Sequence, residues 1–552
     1  MFGYKKGAEL PGEVVIWVCV VCILISAIPP LLNLSYTAFS LSVTMALPTD
    51  FLGSIINPTT IFLLVIIWFT SSTVNSWYRL RHIPGPFLAS FSYLWLGYCA
   101  LSGKQLEAVE HASKKYGSLI RVGPNELLTD DPEIIKSMSG VKSKYLKSEW
   151  YAGSRFNPYH QTMFETLNPT FHDKTKAQVA PGYSGRDSPC VEADVDAQVN
   201  SLTDLIRSKY ITTPGVGGFR PLNLARTVSF FTLDIISKLS LGQSFGYIET
   251  ETDGHGFHDI LHKTMLLISI TQHVPWIRRI AYSTIGLKIW GPKETDPKGV
   301  GKVMCLANDA VRNIFKPEAD RGGDTILASF VRHGLTQAQC EVETVFMFVA
   351  GSDTTASATR ITMLYILSTP RVYQRLKEEI VSAIKEGKVS SPITQAEARD
   401  LPYLQAVIYE GLRIRPVTSS IIAKEVPPGG DIINGKFIPA GTNIGTNFFA
   451  LLNSKAVFGD DPEVFRPERF LEVDDKTFVE MQRHVDLTFG YGRWMCAGKN
   501  IAMMELNKVY FELLRYFDFQ LLDPRRPMTT ASHGLYIDVG LSVRVTEFSI
   551  DP

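Results

Sequence analysis

The strongest pattern of apolar positions lies in residues 1–78, which differ from the rest of the chain. After a pair of lysines near the N-terminus, no Lys or Arg occurs until Arg79, and two apolar runs lie between them. The first, residues 14–28, is short for a membrane span unless it continues to residue 34. The second, residues 58–77, is uncharged and about 20 residues long, enough to cross the hydrocarbon core of a bilayer. We predict that residues 1–78 form a membrane anchor with one or two transmembrane helices.

The positions of the positive charges indicate the number of spans, because Lys and Arg favour the cytosolic side of a membrane. The lysine pair and the group at Arg79 and Arg81 flank the apolar region. An even number of spans places both groups on the cytosolic side, and we prefer two. The alternatives are a single span from Pro58 with a lumenal N-terminus, and a cleaved signal formed by the first run.

A basic and proline-rich segment, residues 79–86, follows the anchor and ends in Ile-Pro-Gly-Pro. Two prolines around a glycine cannot continue a helix and form a stiff, extended joint. Residues 87–552 show no internal repeat and no low-complexity linker. We therefore predict a hinge at residues 79–86 and one large domain over residues 87–552.

Periodic apolar positions predict that this domain is mainly helical. A long helix is indicated from about residue 336 to 368, with a capping box of Thr336 and Gln339 at its start and Pro370 after its end. At about 32 residues it spans roughly 48 Å, so it must run through the core. Between residues 423 and 450, turn signals separate short apolar strands. The expected fold class is mainly α with a minor β part.

The composition of the chain argues against nucleic-acid binding and favours membrane attachment. The 552 residues carry 55 Lys and Arg against 55 Asp and Glu, so the net charge is zero and no basic field indicates nucleic-acid binding. Hydrophobic residues make up 45% of the chain, which is high for a soluble enzyme and favours membrane attachment. Seven dispersed cysteines do not form a disulfide framework, which fits a reducing environment.

The most informative segment is a glycine-rich loop, Phe-Gly-Tyr-Gly-Arg-Trp-Met-Cys-Ala-Gly, from Phe489 to Gly498. Its glycines let the backbone approach a flat ligand and turn amide hydrogens toward the sulfur of Cys496. The positive end of the following helix favours a thiolate. A single Cys without a partner at zinc spacing suits a metal that brings most of its own ligands, as haem does.

This loop resembles the haem loop of the cytochrome P-450 family, which reads F-x-x-G-x-R-x-C-x-G. Phe489, Gly492, Cys496 and Gly498 match, while Trp494 stands where the family has Arg. The resemblance implies the cytochrome P-450 fold, haem b as cofactor, and Cys496 as the thiolate ligand of its iron. It also implies that the other four residues take part in haem binding.

The middle of the long predicted helix carries Ala-Gly-Ser-Asp-Thr-Thr, residues 350–355. These residues lower helix propensity, and Thr hydroxyls can bond back to the preceding turn. One interpretation is a helix–helix contact that needs small side chains. The other follows from the family motif A/G-G-x-D/E-T-T/S, which the segment matches at every position. The resemblance implies that Thr354 orients a dioxygen-bound water and that Asp353 feeds in protons.

Another helix is predicted over residues 401–415, with Glu410 and Arg413 on one face. Alone, such a pair is usually a solvated bridge worth under about 1 kcal/mol. Together with Arg469 in a downstream Pro-Glu-Arg-Phe, it resembles the E-x-x-R and P-E-R-F elements of the family. The resemblance implies a buried Glu410–Arg413–Arg469 triad that holds the loops beneath the haem.

The carboxylates of a haem need cationic donors. Where the family has Arg, Trp494 offers only a neutral indole N–H. His172 and Lys176 resemble the H-x-x-x-R helix of the family, and Lys424 stands where an Arg often precedes the strand hairpin. We assign Lys176 and Lys424 to the carboxylates, with a solvated face as the alternative for each.

Two further patterns have plainer interpretations. His258 and His262 have a zinc-compatible spacing, but no third ligand is evident, so we predict a surface helix. Gly490 and Gly492 lack the third glycine and the preceding strand of a dinucleotide loop. Because no nicotinamide or flavin motif occurs, electrons must come from another protein. The resemblance implies an NADPH-dependent cytochrome reductase.

By resemblance, the chain is expected to be a haem-thiolate monooxygenase that inserts one oxygen atom of O₂ into a lipophilic small molecule. Substrate would meet residues 346–349, 417–422 and 533–537. The motifs resemble those of fungal members that tailor terpenoids, polyketides or alkaloids. The expected location is the endoplasmic reticulum membrane, with the catalytic domain facing the cytosol. The alternatives are an O₂-independent isomerase or dehydratase on the same fold, and a non-catalytic haem-binding protein.

Overall fold

Helices supply most of the structure, a computed structural model that describes residues 58–213, 218–317 and 323–549. The α-helices are α1 (Pro58–Arg79), α2 (Leu94–Ser102), α3 (Gln105–Tyr116), α4 (Pro132–Ser139), α5 (Pro169–Tyr183), α6 (Val191–Lys209), α7 (Leu224–Leu241), α8 (Tyr247–Thr250), α9 (Phe257–His273), α10 (Pro275–Ala281), α11 (Thr284–Trp290), α12 (Val300–Phe315), α13 (Ile326–Arg332), α14 (Gln337–Ser368), α15 (Pro370–Lys385), α16 (Gln395–Arg399), α17 (Pro402–Ile414), α18 (Phe448–Leu452), α19 (Lys455–Phe458), α20 (Asp475–Asp486) and α21 (Lys499–Tyr516). Short 3₁₀ turns cover Leu88–Ser90, Tyr151–Gly153, Pro467–Phe470, Leu487–Phe489 and Gly492–Trp494.

The strands are short and contribute a minor part. They are β1 (Leu119–Arg121), β2 (Glu126–Thr129), β3 (Leu146–Lys147), β4 (Leu222–Asn223), β5 (Lys424–Glu425), β6 (Asp431–Ile433), β7 (Lys436–Ile438), β8 (Asn443–Thr446), β9 (Phe517–Leu521), β10 (Thr529–Ser532), β11 (Tyr536–Val539) and β12 (Ser542–Glu547). The largest sheet has the order β1-β2-β8-β5-β3, with β2 and β8 parallel. Smaller sheets pair β10 with β11, β6 with β7, and β12 with β4 and β9. The prediction of a mainly α fold with a minor β part is confirmed.

The long helix α14 begins and ends where the sequence predicts. Thr336 caps it, and the side chain of Gln339 closes the capping box. Most of its length is buried, and α7 packs along it. A Cβ on Gly351 would come 2.8 Å from a side-chain carbon of Ile236 in α7, so close packing of the two helices needs glycine here. The small-residue interpretation of this segment therefore holds for Gly351.

The N-terminal predictions are not confirmed. The first apolar run lies outside the described residues, and the second forms helix α1. Among residues 58–213, 218–317 and 323–549, no helix combines the length and the hydropathy needed to cross a membrane. In α1 the polar residues Ser71, Ser72 and Asn75 interrupt the apolar run.

The glycine-rich loop lies between the end of α4 and the start of α21. In turn, α21 packs against α14 and α17. This packing brings the loop, the central helix and the Glu410 helix into one region of the molecule.

Candidate active site

The glycine-rich loop is folded back on itself. The Cys496 amide donates to the Phe489 carbonyl at 2.6 Å, and the φ angles of Gly490 and Gly492 are 78° and 53°. A Cβ on Gly492 would come 2.6 Å from the carbonyl oxygen of Ser139 at the end of α4. Position 492 therefore requires glycine, both for its left-handed backbone and for the contact with α4.

The Cys496 residue keeps an accessible surface, although burial among protein atoms raises the pKa of its thiol. The thiol is therefore surrounded by protein atoms and still accessible from outside. The amides of Gly498 and Lys499 and the ammonium of Lys176 act in the opposite direction on this pKa. Burial outweighs them, so the pKa of the free thiol lies above its usual value. A coordinated metal ion deprotonates such a thiol.

Lys176 holds the loop from helix α5. Its ammonium donates to the carbonyl of Arg493 at 2.7 Å and to that of Met495 at 3.1 Å. The Arg493 guanidinium points to Asp173, with an N–O distance of 3.4 Å. The structure thus places Lys176 on the loop backbone, because two carbonyls offer it nearby acceptors, whereas the sequence assigned it to a haem carboxylate.

Trp494 stands between His172 and two lysines. Its ring lies 4.4 Å from the His172 ring, centroid to centroid. The ammonium groups of Lys147 and Lys424 lie 4.9 Å and 4.6 Å from the Trp494 ring centroid. The indole N–H of Trp494 is buried and has no hydrogen-bond partner among the described residues. Such a donor marks a place where a ligand or a water accepts.

Lys147 and Lys424 stand directly opposite each other in the paired strands β3 and β5. Lys424 is 4% exposed and donates to the Tyr151 hydroxyl at 2.6 Å. Lys147 donates to the carbonyls of Met163 and Phe164 at 2.9 Å and 2.6 Å. Burial, reinforced by the charge of Lys147, holds the pKa of Lys424 well below its usual value. Burial also lowers the pKa of Lys147, to about 7.

This arrangement fits the carboxylates of a haem. Like charges directly opposite in a sheet are destabilising, and a buried ammonium without an anionic partner is costly. An anion at Lys147, Lys424 and the Trp494 N–H relieves both costs and satisfies the unpaired donor. The sequence assigns Trp494 and Lys424 to haem binding, and it does not single out Lys147. No motif marks Lys147, and its place opposite Lys424 depends on strands far apart in the chain.

On α14, Thr354 and Asp353 have different surroundings. The Thr354 hydroxyl donates back to the Ala350 carbonyl at 2.8 Å, as the sequence predicts for Thr in a helix, and Thr354 is only half-buried. Asp353 is buried, and its Oδ1 accepts from Arg360 Nη2 at 3.1 Å. Its Oδ2 is buried without a hydrogen-bond partner in the described part of the chain. Asp353 therefore has one oxygen bound to Arg360 and one without a hydrogen-bond partner among the described residues.

Arg360, which the sequence analysis missed, connects Asp353 to a second acid. Its guanidinium donates to Ser229 Oγ at 2.7 Å and lies 3.5 Å from Asp538 Oδ2. Arg415 binds the two carboxylate oxygens of Asp538 at 2.8 Å and 2.6 Å. Burial acts to raise the pKa of Asp538, but the hydrogen bonds and charge of Arg415 outweigh it and hold that pKa below its usual value. The carboxylates of Asp353 and Asp538 thus balance the charges of Arg360 and Arg415. Arg360 connects the two acids.

Glu410, Arg413 and Arg469 lie together in the interior. The fully buried Glu410 carboxylate accepts from Arg413 at 2.7 Å and 2.8 Å. It also accepts from Arg469 Nε at 3.1 Å and from the Arg466 amide at 2.8 Å. One carboxylate therefore joins helix α17 to the 3₁₀ turn Pro467–Phe470.

His258 and His262 of α9 are half-buried. Both ring nitrogens of His258 and Nε2 of His262 are buried and lack a hydrogen-bond partner among the residues described. The His258 ring packs 5.6 Å from Phe230 and 6.0 Å from Tyr247, centroid to centroid. Asp259 and Lys263 of the same helix are exposed, so α9 has a solvent face, as the sequence predicts.

The segments expected to meet substrate are connected to this site. The Ser419 amide and the Thr418 hydroxyl donate to the Gly534 carbonyl at 3.0 Å and 2.8 Å, so two of those segments contact each other. In the third, Phe346 of α14 stacks on Phe164 with ring centroids 4.9 Å apart. Since the Phe164 carbonyl also binds Lys147, a chain of contacts links α14 to the lysine pair.

Comparison with known proteins identifies the family of the chain and several of its relatives. The family model for cytochrome P-450 matches residues 83–538. The chain is 49% identical over 470 residues to cytochrome P-450 monooxygenase aba1 of Botryotinia fuckeliana, covering 85% of this chain and 92% of that protein. It is 44% identical over 508 residues to cytochrome P-450 monooxygenase ABA1 of Pyricularia oryzae, covering 91% and 98%. It is 30% identical over 473 residues to pisatin demethylase of Fusarium vanettenii, covering 84% and 89%.

Proposed function

The chain belongs to the cytochrome P-450 family and is a monooxygenase, and we propose that it inserts one oxygen atom of O₂ into a lipophilic small molecule. Members of this family use haem b with an axial cysteine thiolate. The observation that carries the proposal is the position of Cys496, an accessible thiol at the end of a loop whose two glycines, Gly490 and Gly492, have left-handed backbones.

We propose that Cys496 would bind the iron of haem through its sulfur and that Lys424, Lys147 and Trp494 would hold the haem carboxylates. When bound, haem supplies the iron at which dioxygen is activated, and a thiolate ligand favours cleavage of the O–O bond. The protein keeps the loop in shape through Lys176 and through the left-handed glycines. The buried Glu410 triad holds the segments next to the loop in place, because a rearrangement that separates its members would leave a buried charge unpaired.

Asp353 and Thr354 are proposed to deliver the protons that oxygen insertion consumes. Arg360 holds one Asp353 oxygen at 3.1 Å, which leaves Oδ2 for proton exchange. The half-buried Thr354 follows Asp353 in the chain. Its hydroxyl can donate a hydrogen bond elsewhere when it no longer donates to the Ala350 carbonyl. An O₂-independent isomerase or dehydratase needs no such pair, which favours the oxygenase.

Apolar surfaces beside α14 support a lipophilic substrate. Ile260 and Leu261 of α9 and Val345 and Val349 of α14 line a small apolar cavity between the two helices. One of the relatives described above is a pisatin demethylase. We propose that this chain likewise acts in secondary metabolism, on a terpenoid, polyketide or alkaloid.

Electrons in this family generally come from an NADPH-dependent cytochrome reductase, and we propose the same donor here. We also propose that the enzyme works at the cytosolic face of the endoplasmic reticulum membrane. Support comes from α1, where Phe62, Leu64 and Ile67 are 59%, 54% and 63% exposed. Recovery of the protein in the soluble fraction of its host, with no microsomal share, would contradict this location.

Purified protein tests the reaction. With the reductase, NADPH and a library of lipophilic compounds, we expect O₂-dependent formation of a product that carries one oxygen atom from ¹⁸O₂. Product formation without O₂ would indicate the isomerase, and haem binding without any turnover the non-catalytic protein. The Thr354→Ala variant should consume NADPH but yield less product per NADPH. Unchanged yield would contradict the role given to Thr354.

A further inference from the structure

The guanidinium of Arg360 is shared among three side chains, and all four groups are buried. Its Nη1 donates to Ser229 Oγ of α7 at 2.7 Å, and its Nη2 donates to Asp353 Oδ1 on the same helix at 3.1 Å. Its Nε lies 3.5 Å from Asp538 Oδ2 of β11 and has no hydrogen-bond partner among the described residues. Because a guanidinium is a planar, rigid fork, contacts on three sides fix its orientation.

The Asp538 carboxylate is itself held by several elements. Besides the two bonds from Arg415, its Oδ1 accepts at 2.7 Å from the hydroxyl of Thr530, which stands opposite it in the β10–β11 pair. Its Oδ2 accepts from Ser357 Oγ of α14 at 3.4 Å. Asp538 is therefore a fixed anion on the Nε side of Arg360.

The contact between Arg360 and Asp353 uses only one of the two carboxylate oxygens. Pairs of Arg with a carboxylate frequently form two parallel hydrogen bonds, as Arg415 and Asp538 do. Arg360 gives Asp353 one bond, and Asp353 Oδ2 stays buried without a hydrogen-bond partner in the described part of the chain. An unpaired buried acceptor is costly, so a restraint must keep Arg360 from binding it. The charge of Asp538 on the Nε side of the guanidinium is such a restraint.

We propose that Asp538 is a positioning residue for Asp353: it holds Arg360 at one Asp353 oxygen and so leaves Oδ2 for proton exchange. This inference rests on the proposed monooxygenase function. Oxygen insertion converts RH, O₂, two protons and two electrons from the reductase into ROH and H₂O. The competing reaction converts O₂ and the same protons and electrons into H₂O₂ and leaves RH unchanged. The ratio of product to peroxide therefore reports how well Asp353 serves proton delivery.

Asp538→Asn tests the proposal, because the amide keeps the size of the side chain and can still accept from Arg415 but carries no charge. Arg360 should then bond to both oxygens of Asp353. General acid–base groups contribute on the order of 10² to 10⁴ in rate, and this variant hinders such a group without removing it. At a saturating concentration of a substrate found in the compound library, we expect product per NADPH to fall roughly 3- to 10-fold, with a rise in peroxide. The solvent deuterium isotope effect on product formation should increase, which a weaker affinity for substrate alone does not cause.

The matched control is Glu512→Gln, which neutralises another buried acid that pairs with an arginine. The Glu512 carboxylate accepts from Arg515 at 2.9 Å and 3.2 Å and from the Ile393 amide at 2.7 Å. This variant should lose stability but keep the wild-type ratio of product to peroxide. A wild-type ratio in Asp538→Asn, or an equal fall in both variants, would overturn the positioning role. A wild type without O₂-dependent turnover would instead overturn the proposed function.

A second measurement depends neither on turnover nor on the folding of the variant. A high-resolution crystal structure of the haem-bound wild type should show Arg360 bonded to one oxygen of Asp353, with its Nε beside Asp538. In crystals of Asp538→Asn, Arg360 should bond to both oxygens of Asp353. A wild-type structure in which Arg360 already binds both oxygens, or in which Asp538 lies out of its reach, would refute the proposal.

Discussion

Replacement of Lys424 by methionine has opposite expected effects on the haem-free and the haem-bound protein. In the haem-free protein, Lys424 lies opposite Lys147, and within the described residues its ammonium bonds only to the Tyr151 hydroxyl. Methionine has a similar length and no charge. Since a buried, unpaired cation is costly, the free energy of unfolding of the haem-free protein should rise or stay unchanged.

In the haem-bound protein the same substitution removes a charge-assisted hydrogen bond to a carboxylate. Hydrogen bonds to charged groups contribute about 1.5–3 kcal/mol, and 1.4 kcal/mol corresponds to about tenfold in affinity. Lys424→Met should therefore weaken haem binding by about 10- to 150-fold. The assay is haem transfer to excess apomyoglobin, together with urea unfolding of the haem-free protein.

Lys508 provides the matched control, because it is also fully buried but has acid partners. Its ammonium lies 2.9 Å from Glu192 and 2.7 Å from Asp196. Lys508→Met should lower the free energy of unfolding, since it leaves two carboxylates without their cation, and should not change haem transfer. Haem dimethyl ester should bind the wild type more weakly, with no further loss in Lys424→Met. If Lys424→Met behaves like Lys508→Met in both assays, the carboxylate assignment is refuted.

Two further predictions concern the support of the loop. Glu410→Ala strands buried guanidinium groups and should lower the free energy of unfolding by about 3–5 kcal/mol, with loss of haem during purification, whereas Glu472→Ala, whose side chain is 60% exposed, should change neither. Gly492→Ala should cost about 1–2 kcal/mol for its left-handed backbone and more for the contact with the Ser139 carbonyl. Gly387→Ala, with a φ of 65° and open space around it, measures the backbone cost alone. Equal stability losses in the two glycine variants would show that the contact with α4 is unimportant.

The features that the sequence predicted well are local ones. The capping box of α14, its end before Pro370, and the strands β6 and β7 follow from residues close together in the chain. The loop around Cys496 could be recognised because its glycines and its thiol must stand at fixed spacing to fit a flat ligand. Family resemblance added roles to these residues.

The features that the sequence missed depend on packing between distant segments. Lys147 carries no motif, and only the pairing of β3 with β5 places it opposite Lys424. Arg360 carries no motif either, and only the fold places it beside Asp353 and Asp538. His258 was assigned to a surface helix because no third zinc ligand is evident, and only the fold places its ring beside Phe230 and Tyr247.

We propose that Cys496 binds the haem iron as a thiolate, and the reduced protein under CO tests this most directly. The wild type should show the long-wavelength Soret band that marks a thiolate ligand. Cys496→Ser should lose this band even where it retains haem, because serine does not supply a thiolate. A Cys496→Ser protein that keeps the band would contradict the account.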